Sequence, residues 1–358
     1  MQTIKHENGF KYFNPLLADL ETLYSVVSDD EPRTELFPPL VDVSLEPVYD
    51  MIVEQTGKEF GKPSFKQRQH AKHTKRYDAK NIIVCYSGGK DSLSVVLHYM
   101  KMGYNVYAYH IKGLNKGYYN EWEIAEEASR EIGFNLIIDQ VSYSGQHVWT
   151  EHPMKNMLMA TMALNYGVTH GITTKIAVGD FRDCSVDAVA FSVTGGDTVE
   201  MWDLYTKFIR TIIPNFKVYI PNKNYATAYN MLLKHPNHIK HTMSCMTPNR
   251  FRESFRKRTQ KNYGVELLEH RCGCCSKCAV EYIIFCDHGV FQLDRQYYIH
   301  CLEILAYTSL KEEDNTVPSI NRLWGLFFFY PMKKSKLYRE LSNAIIQNGK
   351  IKLANEIA

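Results

Sequence analysis

Residues 81–100 constrain the fold of this chain more than any other segment. The apolar run Ile82–Val84 is short and continuous, which is typical of a strand buried on both faces of a sheet. The run is followed by the polar hexapeptide Ser87-Gly-Gly-Lys-Asp-Ser92. Beyond it, apolar residues recur at helical spacing, at Leu93, Val96, Leu97 and Met100. The segment therefore predicts a strand, a tight turn and an amphipathic helix.

The residue types of the hexapeptide suit an anionic ligand. Gly88 and Gly89 let the backbone approach a ligand closely, and the amide groups at the start of the helix point outward as donors. Asp91 can cap the helix or hold the Mg²⁺ that accompanies a nucleotide. Further polar groups come from Ser87, Lys90 and Ser92. The hexapeptide is therefore predicted to bind the phosphates of a nucleotide.

The hexapeptide is not a Walker A motif, because Asp91 follows Lys90 where that motif has Ser or Thr. It resembles the PP-loop of the N-type ATP pyrophosphatases, which cleave ATP to AMP and pyrophosphate, usually by adenylating a substrate. That resemblance implies an adenine nucleotide alpha hydrolase-like fold. The alternative interpretation is a plain glycine turn followed by a helix-capping Asp.

Four cysteines form a second pattern. Cys272, Cys275 and Cys278 repeat every third residue, and Cys245 lies upstream. Two overlapping C-x-x-C units and a remote fourth thiolate can enclose one Zn²⁺ and leave no open coordination position, so we predict a structural zinc knuckle. Cys274 is then not a ligand. An iron–sulfur cluster and unligated buried thiols are the alternatives.

Strand and helix patterns alternate from residue 81 to about residue 235, which predicts an α/β fold with a parallel doubly wound sheet. After the first helix, strands are predicted at Val106–His110, Phe134–Ile138, Lys175–Val178 and Lys217–Ile220, and helices at Glu121–Ile132 and Met154–Tyr166. Ligands of such sheets bind beyond the carboxyl ends of the strands. We therefore expect residues 87–92, 110–113 and 179–183 to surround one crevice.

Composition and charge narrow the class of protein. A chain of 358 residues with 45% hydrophobic content can form about two domains. Its longest apolar runs fall short of the roughly 18 residues that cross a bilayer, and Met1–Glu7 lacks the apolar core of a signal peptide. We expect a cytoplasmic protein with no membrane partner. The formal net charge of +3 is too small to argue for nucleic acid by itself.

Three segments are similar to the 7-cyano-7-deazaguanine synthase family, PP-loop enzymes of queuosine biosynthesis. Residues 153–163 look like the helix start of that family. The four cysteines have the order and inner spacing of the family's zinc site. Residues 178–180, followed by 195–200, resemble its glycine-rich acidic region. Together these matches span roughly residues 80 to 285.

The resemblance implies a site and a reaction. Lys90, Asp91 and Lys155 would be catalytic, and ATP, Mg²⁺ and Zn²⁺ would be the cofactors. In the family, the carboxylate of 7-carboxy-7-deazaguanine attacks the α-phosphate of ATP. Ammonia then forms an amide, and a second ATP drives dehydration to the nitrile. The expected nucleotide-binding residues are Ser87, Gly88, Gly89, Lys90, Asp91, Ser92, His110, Asn156, Gly179, Asp180 and Asp197.

Some of these residues have a second interpretation. His110 follows the second predicted strand and would either lie beside adenine or ribose or only pack at the strand end. Asp180, Asp183 and Asp197 would bind a second Mg²⁺ or hydrogen-bond a purine edge, or would be ordinary loop and cap carboxylates.

The resemblance constrains the identity of the substrate that accepts the adenylate less than it constrains the type of reaction. Lys155 stands where the family has Arg, and an ammonium cannot bind phosphate bidentately as a guanidinium does. The 26 residues between Cys245 and Cys272 form a longer and more basic insertion than the family pattern. The partner is therefore a deazapurine acid with ammonia or another amine, or a nucleic acid or protein acceptor. Aromatic residues after position 296 indicate core helices or a homo-oligomer contact.

The predicted organisation is an N-terminal cap and basic linker (1–79), a PP-loop domain (80–240), a zinc segment (241–288) and a helical C-terminal region (289–358). The linker 62–80 is basic, which indicates a solvated segment or a contact to nucleic acid phosphates. Two other functions remain open. One is a PP-loop sulfurtransferase or sulfonucleotide reductase that uses Cys184, Cys274 or a cluster. The other is a catalytically idle ATP-binding scaffold.

Overall fold

The computed structural model describes residues 3–6, 15–28, 37–58, 60–112, 121–140, 154–182, 198–245, 247 and 249–310. These residues form two compact units, one that ends at Asn224 and one that begins at Tyr225. The N-terminal residues up to position 79 belong to the first unit, together with the main sheet. The aromatic stretch 323–330 lies outside the described residues.

A six-stranded parallel sheet forms the centre of the first unit. The strands are β1 (Thr3–His6), β2 (Leu40–Asp42), β3 (Ser64–Lys66), β4 (Asn81–Cys85), β5 (Asn105–Lys112), β6 (Asn135–Gln140), β7 (Ile176–Ala177) and β8 (Val218–Tyr219). Their order in the main sheet is β1-β6-β5-β4-β7-β8, and β2 pairs with β3 in a separate parallel ribbon. The strand order thus reverses at β4. The predicted α/β class with a parallel sheet is confirmed.

Some of the helices connect successive strands of this sheet, and others follow its last strand. The helices are α1 (Pro15–Ser28), α2 (Glu46–Thr56), α3 (Lys90–Lys101), α4 (Glu121–Ile132), α5 (Lys155–Thr169), α6 (Val199–Ile209), α7 (Tyr225–Leu233), α8 (Asn249–Tyr263), α9 (Ser276–Asp287) and α10 (Arg295–Leu310). The helix predicted at Glu121–Ile132 has the observed bounds of α4, and the other predicted helices and strands differ by a few residues. Among the described helices, none is both long and apolar enough to cross a membrane.

The central strand explains why residues 81–100 dominate the fold. Ile82, Ile83 and Val84 are at most 1% exposed, because β4 has neighbours on both sides and helices over it. Helix α5 packs against β4 so closely that a Cβ atom at Gly167 would lie 2.6 Å from Cδ1 of Ile83. The core therefore positions the turn after β4 rigidly.

The N-terminal region was predicted to form only a cap and a linker, but it also contributes a strand to the main sheet. Strand β1 pairs in parallel with β6 at the edge of the sheet, and a four-residue strand is too short to show a periodicity in the sequence. The basic linker is attached to the first unit at several points. Arg68 forms an ion pair with Asp19 at 2.9 Å, and Nζ of Lys72 donates to the carbonyl of Thr211 at 2.6 Å.

The second unit contains α7 to α10 and an aromatic core. Helix α9 packs against α10. The ring of Tyr282 contacts those of Phe291 and Tyr297, with centroid distances of 5.8 Å and 4.4 Å. These contacts join the start of α10 to the helix that follows the cysteine segment.

Candidate nucleotide site and metal centre

The turn between β4 and α3 is held by its own hydroxyl groups. The amide of Ser87 donates to Oγ of Ser92 at 3.2 Å, and that Oγ donates to the carbonyl of Gly89 at 3.1 Å. Gly88 has a φ of +81°, a conformation that favours glycine. Gly89 is the N-cap of α3, and no side chain caps the helix. An anion can therefore take the position of a capping group at this helix terminus.

A second glycine brings the segment after β7 against this turn. A Cβ atom at Gly179 would lie 3.0 Å from the amide nitrogen of Ser92 and 3.2 Å from the carbonyl carbon of Asp91. Both neighbours are backbone atoms that cannot move aside easily. Only glycine fits without displacing the segment, so residues 91–92 and 179 meet, which is part of the expected crevice. Residues 113 and 183, which complete the other predicted segments of that crevice, lie outside the described residues.

Asn222, which was not predicted from the sequence, follows a third strand of the sheet and holds the start of α3 in place. It follows β8, is 3% exposed, and its side chain bonds to Oγ of Ser94 at 3.0 Å and to the carbonyl of Asp91 at 3.4 Å. Its own carbonyl accepts from the amide of Arg182 at 3.0 Å. The carboxyl ends of β4, β7 and β8 therefore converge. No local motif marks a lone Asn after a two-residue strand, so the sequence carried no signal for it.

The charges at the turn suit a nucleotide and its cation. Nζ of Lys90 lies 2.8 Å from Oδ2 of Asp91, and the Lys90 side chain is 4% exposed. Oδ1 of Asp91 is buried, without a hydrogen-bond partner among the described residues. A buried carboxylate oxygen of this kind is a suitable ligand for Mg²⁺.

His110 lies inside β5 rather than after it and is 3% exposed. Its Nδ1 lies 2.9 Å from the carbonyl oxygen of Tyr86, which can only accept, so Nδ1 carries the proton. Burial lowers the pKa of His110 to about 4, so the ring is neutral at neutral pH. The imidazole therefore braces the strand that leads into the turn.

The remaining predicted residues lie at the same edge of the sheet or outside the described part. Thr173, which follows α5, bonds to the carbonyl of Asn81 at the start of β4. Helix α5 therefore runs antiparallel to β4, and its first residues, Lys155 and Asn156, lie toward the carboxyl edge. Oδ2 of Asp180 accepts from Nε1 of Trp202 at 2.7 Å. Asp197 and Cys184 lie outside the described residues.

Four cysteine sulfur atoms form a separate cluster in the second unit. The Sγ atoms of Cys245, Cys272, Cys275 and Cys278 all lie within 4.8 Å of one another. A tetrahedron of thiolates around Zn²⁺, with bonds of about 2.3 Å, has edges of about 3.8 Å. The distance of 3.9 Å between the sulfurs of Cys272 and Cys278 is close to that value. The cluster could hold a metal ion, and Cys274 is not part of it.

The four thiols of this cluster differ in acidity: the pKa of Cys272 and of Cys245 lies below that of a free cysteine, and the pKa of Cys275 and of Cys278 lies above it. Contacts from the neighbouring thiols, first of all Cys245, lower the pKa of Cys272. Cys275 is the N-cap of α9, and its sulfur accepts from the amide of Cys278 at 3.5 Å. The amide of Thr247 donates to Cys245 at 3.4 Å. Metal ligands commonly receive such backbone bonds, which orient them.

A buried ion pair supports the cluster from outside. Nε of Arg271 lies 2.7 Å from Oε2 of Glu281, and both side chains are at most 5% exposed. Arg271 also donates to the carbonyl and the hydroxyl of Thr242. The pair therefore joins the segment before Cys245, the segment at Cys272 and helix α9.

Gly273 forms the bend of the cysteine segment. Its φ is +74°, and a Cβ atom there would lie 2.4 Å from Cδ1 of Leu267. The hydroxyl of Tyr297 donates to the carbonyl of Gly273 at 2.6 Å. Thr259 of α8 donates to the carbonyl of Cys272 at 3.2 Å. Helices α8 and α10 thus fix the bend on which three of the cysteines lie.

Comparisons with known proteins do not identify the chain. No protein-family model matches the chain, and no curated protein sequence is significantly similar to it.

Proposed function

We propose that the chain is an ATP-dependent, AMP-forming ligase that adenylates a carboxylate for amide or nitrile formation. The sequence resemblance names 7-carboxy-7-deazaguanine, or a related deazapurine acid, as the substrate class. The proposed localisation is cytoplasmic. The protein would belong with the PP-loop pyrophosphatases, whose fold is of the adenine nucleotide alpha hydrolase type.

One observation supports this proposal most strongly. The glycine-rich turn after β4 lies where the strand order reverses, and Gly179 brings the segment after β7 into backbone contact with the turn. Ligands of parallel α/β sheets bind at such a point of reversal. An uncapped helix terminus, two glycines and a Lys–Asp pair at this position favour a nucleotide with its phosphates over the turn.

The proposed roles follow from the contacts of each side chain. Lys90 would neutralise phosphate charge, and Asp91 would hold Mg²⁺ through its buried Oδ1. Bound Mg²⁺ supplies charge neutralisation on the phosphates. Asn222 and Ser94 would keep the start of α3 fixed while the substrates are positioned. A carboxylate is already a nucleophile, so the site needs no general base to activate it.

The cysteine cluster is proposed as a structural Zn²⁺ site. Every pair of its four sulfurs lies within 4.8 Å, which suits ligands that share one ion. In an iron–sulfur cluster, thiolates bind different iron atoms and spread further apart. Four thiolates fill a tetrahedral shell and leave no position for substrate.

AMP formation tests the proposal. Zinc-loaded protein is mixed with ATP, Mg²⁺ and 7-carboxy-7-deazaguanine, with and without ammonia, and AMP and pyrophosphate are quantified by chromatography. We expect AMP to form in proportion to the acid consumed. Asp91→Ala should lower the rate about 100-fold or more, because it removes a group that acts on the reacting phosphates.

Asp203→Ala is the matched control, since Asp203 is an exposed carboxylate on α6. It should retain the wild-type rate. Equal rates for wild type and Asp91→Ala would contradict the role of the turn. AMP formation only with a sulfur donor, in a protein that contains iron and labile sulfide, would favour the sulfurtransferase. ATP binding without turnover on any acid would favour the scaffold.

A further inference from the structure

Helix α8 carries a concentration of positive charge that the nucleotide chemistry does not use. The helix contains six Lys and Arg residues against one Glu, whereas the whole chain has a formal net charge of only +3. Glu253 pairs with Arg256 at 3.0 Å and with Lys257 at 3.5 Å. Arg250, Arg258 and Lys261 are exposed and have no carboxylate within ion-pairing distance among the described residues.

Two exposed aromatic rings lie beside these cations. In the described part of the chain, six large apolar side chains are exposed, and two of them are one turn apart on α8: Phe251 at 43% and Phe255 at 39%. Their rings are 6.2 Å apart between centroids and nearly parallel, at 20°. The guanidinium of Arg250 lies 4.6 Å from the centroid of the Phe251 ring. At 100° per residue, Arg258 lies on the helix surface between the two rings and Lys261.

The buried stripe of α8, which lies beside the aromatic rings on the helix surface, is fixed to the cysteine segments. Nη2 of Arg252 donates to the carbonyl of Thr247, two residues after Cys245, at 3.2 Å. Thr259 is buried and donates to the carbonyl of Cys272. The position of α8, and with it the exposed aromatic and basic side chains, is therefore fixed by contacts to the two segments that carry the candidate metal ligands.

We propose that this exposed face of α8 binds single-stranded nucleic acid. Phe251 and Phe255 stack on unpaired bases, and Arg250, Arg258 and Lys261 contact the phosphates. Aromatic rings alternating with cations are the combination that such ligands require, because every base has a π-face and every linkage carries a negative charge. A solvated basic helix would not need two phenyl rings in water. The proposal does not depend on the ligase activity, so either can fail alone.

Fluorescence anisotropy of a labelled 20-nucleotide oligo(dT) with full-length, zinc-loaded protein tests the proposal over a range of KCl concentrations. The Phe251→Ala/Phe255→Ala variant should bind about tenfold or more weakly with an unchanged salt slope, because stacking is lost and the charges remain. The Arg258→Gln/Lys261→Gln variant should lower the slope of log K against log salt by about 1.4, since each phosphate contact contributes about 0.7 on single strands.

Matched controls distinguish binding by this face of α8 from binding by positive charge elsewhere on the protein. Arg130→Gln/Lys207→Gln removes two exposed cations from α4 and α6 and should leave binding unchanged. Phe251→Leu/Phe255→Leu keeps apolar bulk without aromatic rings and should bind as weakly as the alanine variant, which covers the case in which alanine disturbs folding. Circular dichroism and zinc content are measured for every variant.

Three results would overturn the proposal. The first is no binding of wild-type protein to oligo(dT) at low salt. The second is binding that both phenylalanine variants retain in full, which would indicate a nonspecific cationic surface. The third is cosedimentation with phosphatidylserine vesicles without oligonucleotide binding, which would make the face a membrane contact.

Discussion

His110 and the carbonyl of Tyr86 form a buried contact next to the candidate nucleotide site. The histidine is 3% exposed and donates through Nδ1, so its neutral form is the one that the folded protein accommodates. Desolvation lowers its pKa to about 4, from the value of 6.5 for an exposed histidine. Because the folded protein disfavours the protonated form of this one residue, the stability of the fold should depend on acid pH.

The free energy of unfolding should therefore fall as the pH drops below 6.5. In that range the unfolded chain binds a proton that the native His110 does not, and the loss continues to about pH 4. From pH 7 to pH 5 the contribution of His110 is about 2 kcal/mol. His110→Gln keeps an amide donor that does not titrate, so urea unfolding at the two pH values should show a correspondingly smaller loss.

His288→Asn is the control, because His288 is exposed at the end of α9. Its loss of stability between the two pH values should match that of wild type. An equal loss in His110→Gln and wild type would show that the buried imidazole does not cause the acid sensitivity.

At the scale of elements, the buried pair of Arg271 and Glu281 links the cysteine segment to α9. If the four cysteines held a divalent ion as thiolates, the guanidinium would also offset the negative charge that they retain. Burial disfavours the charged form of Arg271, but the carboxylate of Glu281 and the nearby sulfur of Cys278 raise its pKa above the usual value. The charged form of Arg271 is therefore favoured by its partner despite its burial.

Removal of one partner should cost more than removal of both. Arg271→Met leaves a buried carboxylate without its partner and should lower the free energy of unfolding by about 3–5 kcal/mol. Arg271→Met/Glu281→Leu should lose less than Arg271→Met alone. Urea unfolding at constant zinc concentration, followed by circular dichroism, measures both variants.

An ion pair on the protein surface provides the comparison for these variants of Arg271 and Glu281. Arg256 pairs with Glu253 on α8 at 3.0 Å, and the Glu253 side chain is 53% exposed. Arg256→Met should change stability by less than about 1 kcal/mol. If Arg271→Met/Glu281→Leu were as unstable as Arg271→Met, an uncompensated buried carboxylate could not be the cause of the lost stability.

At the scale of the whole molecule, the candidate metal ligands all belong to the second unit. Cys245 and Cys278 bracket α8, and the knuckle leads directly into α9. Metal binding to such a site contributes directly to the folding free energy, because the unfolded chain has no preformed site. The first unit has its own core around the parallel sheet.

Removal of the metal should therefore affect the two units differently. With a strong chelator, hydrogen exchange followed by mass spectrometry should show loss of protection in α8 and α9 and unchanged protection in β4 and β5. Cys274→Ala should still bind one zinc per chain, whereas Cys272→Ala should not. Full protection of α8 and α9 without metal would contradict a structural role for the ion.

Much of the fold and of the candidate site could be predicted because it depends on short stretches of chain. The apolar run, the hexapeptide and the helical spacing after it lie within residues 81–100, and β4 and α3 form there as expected. The cysteine spacing likewise placed three thiols on one bend, although Cys245 is 27 positions upstream of Cys272. Local geometry and side-chain chemistry determine such features without reference to the rest of the molecule.

Other parts of the site were decided only by the tertiary structure. Asn222 bonds to Ser94 across 128 positions, and the close approach of Gly179 to Ser92 depends on β4 and β7 being neighbours. The pairing of β1 with β6 also joins segments that are far apart in sequence. Contacts of this kind arise when separate elements pack, and no residue type or spacing within either segment specifies its partner. The sequence by itself predicts which groups would bind phosphate and metal, and packing decides which other residues hold those groups in place.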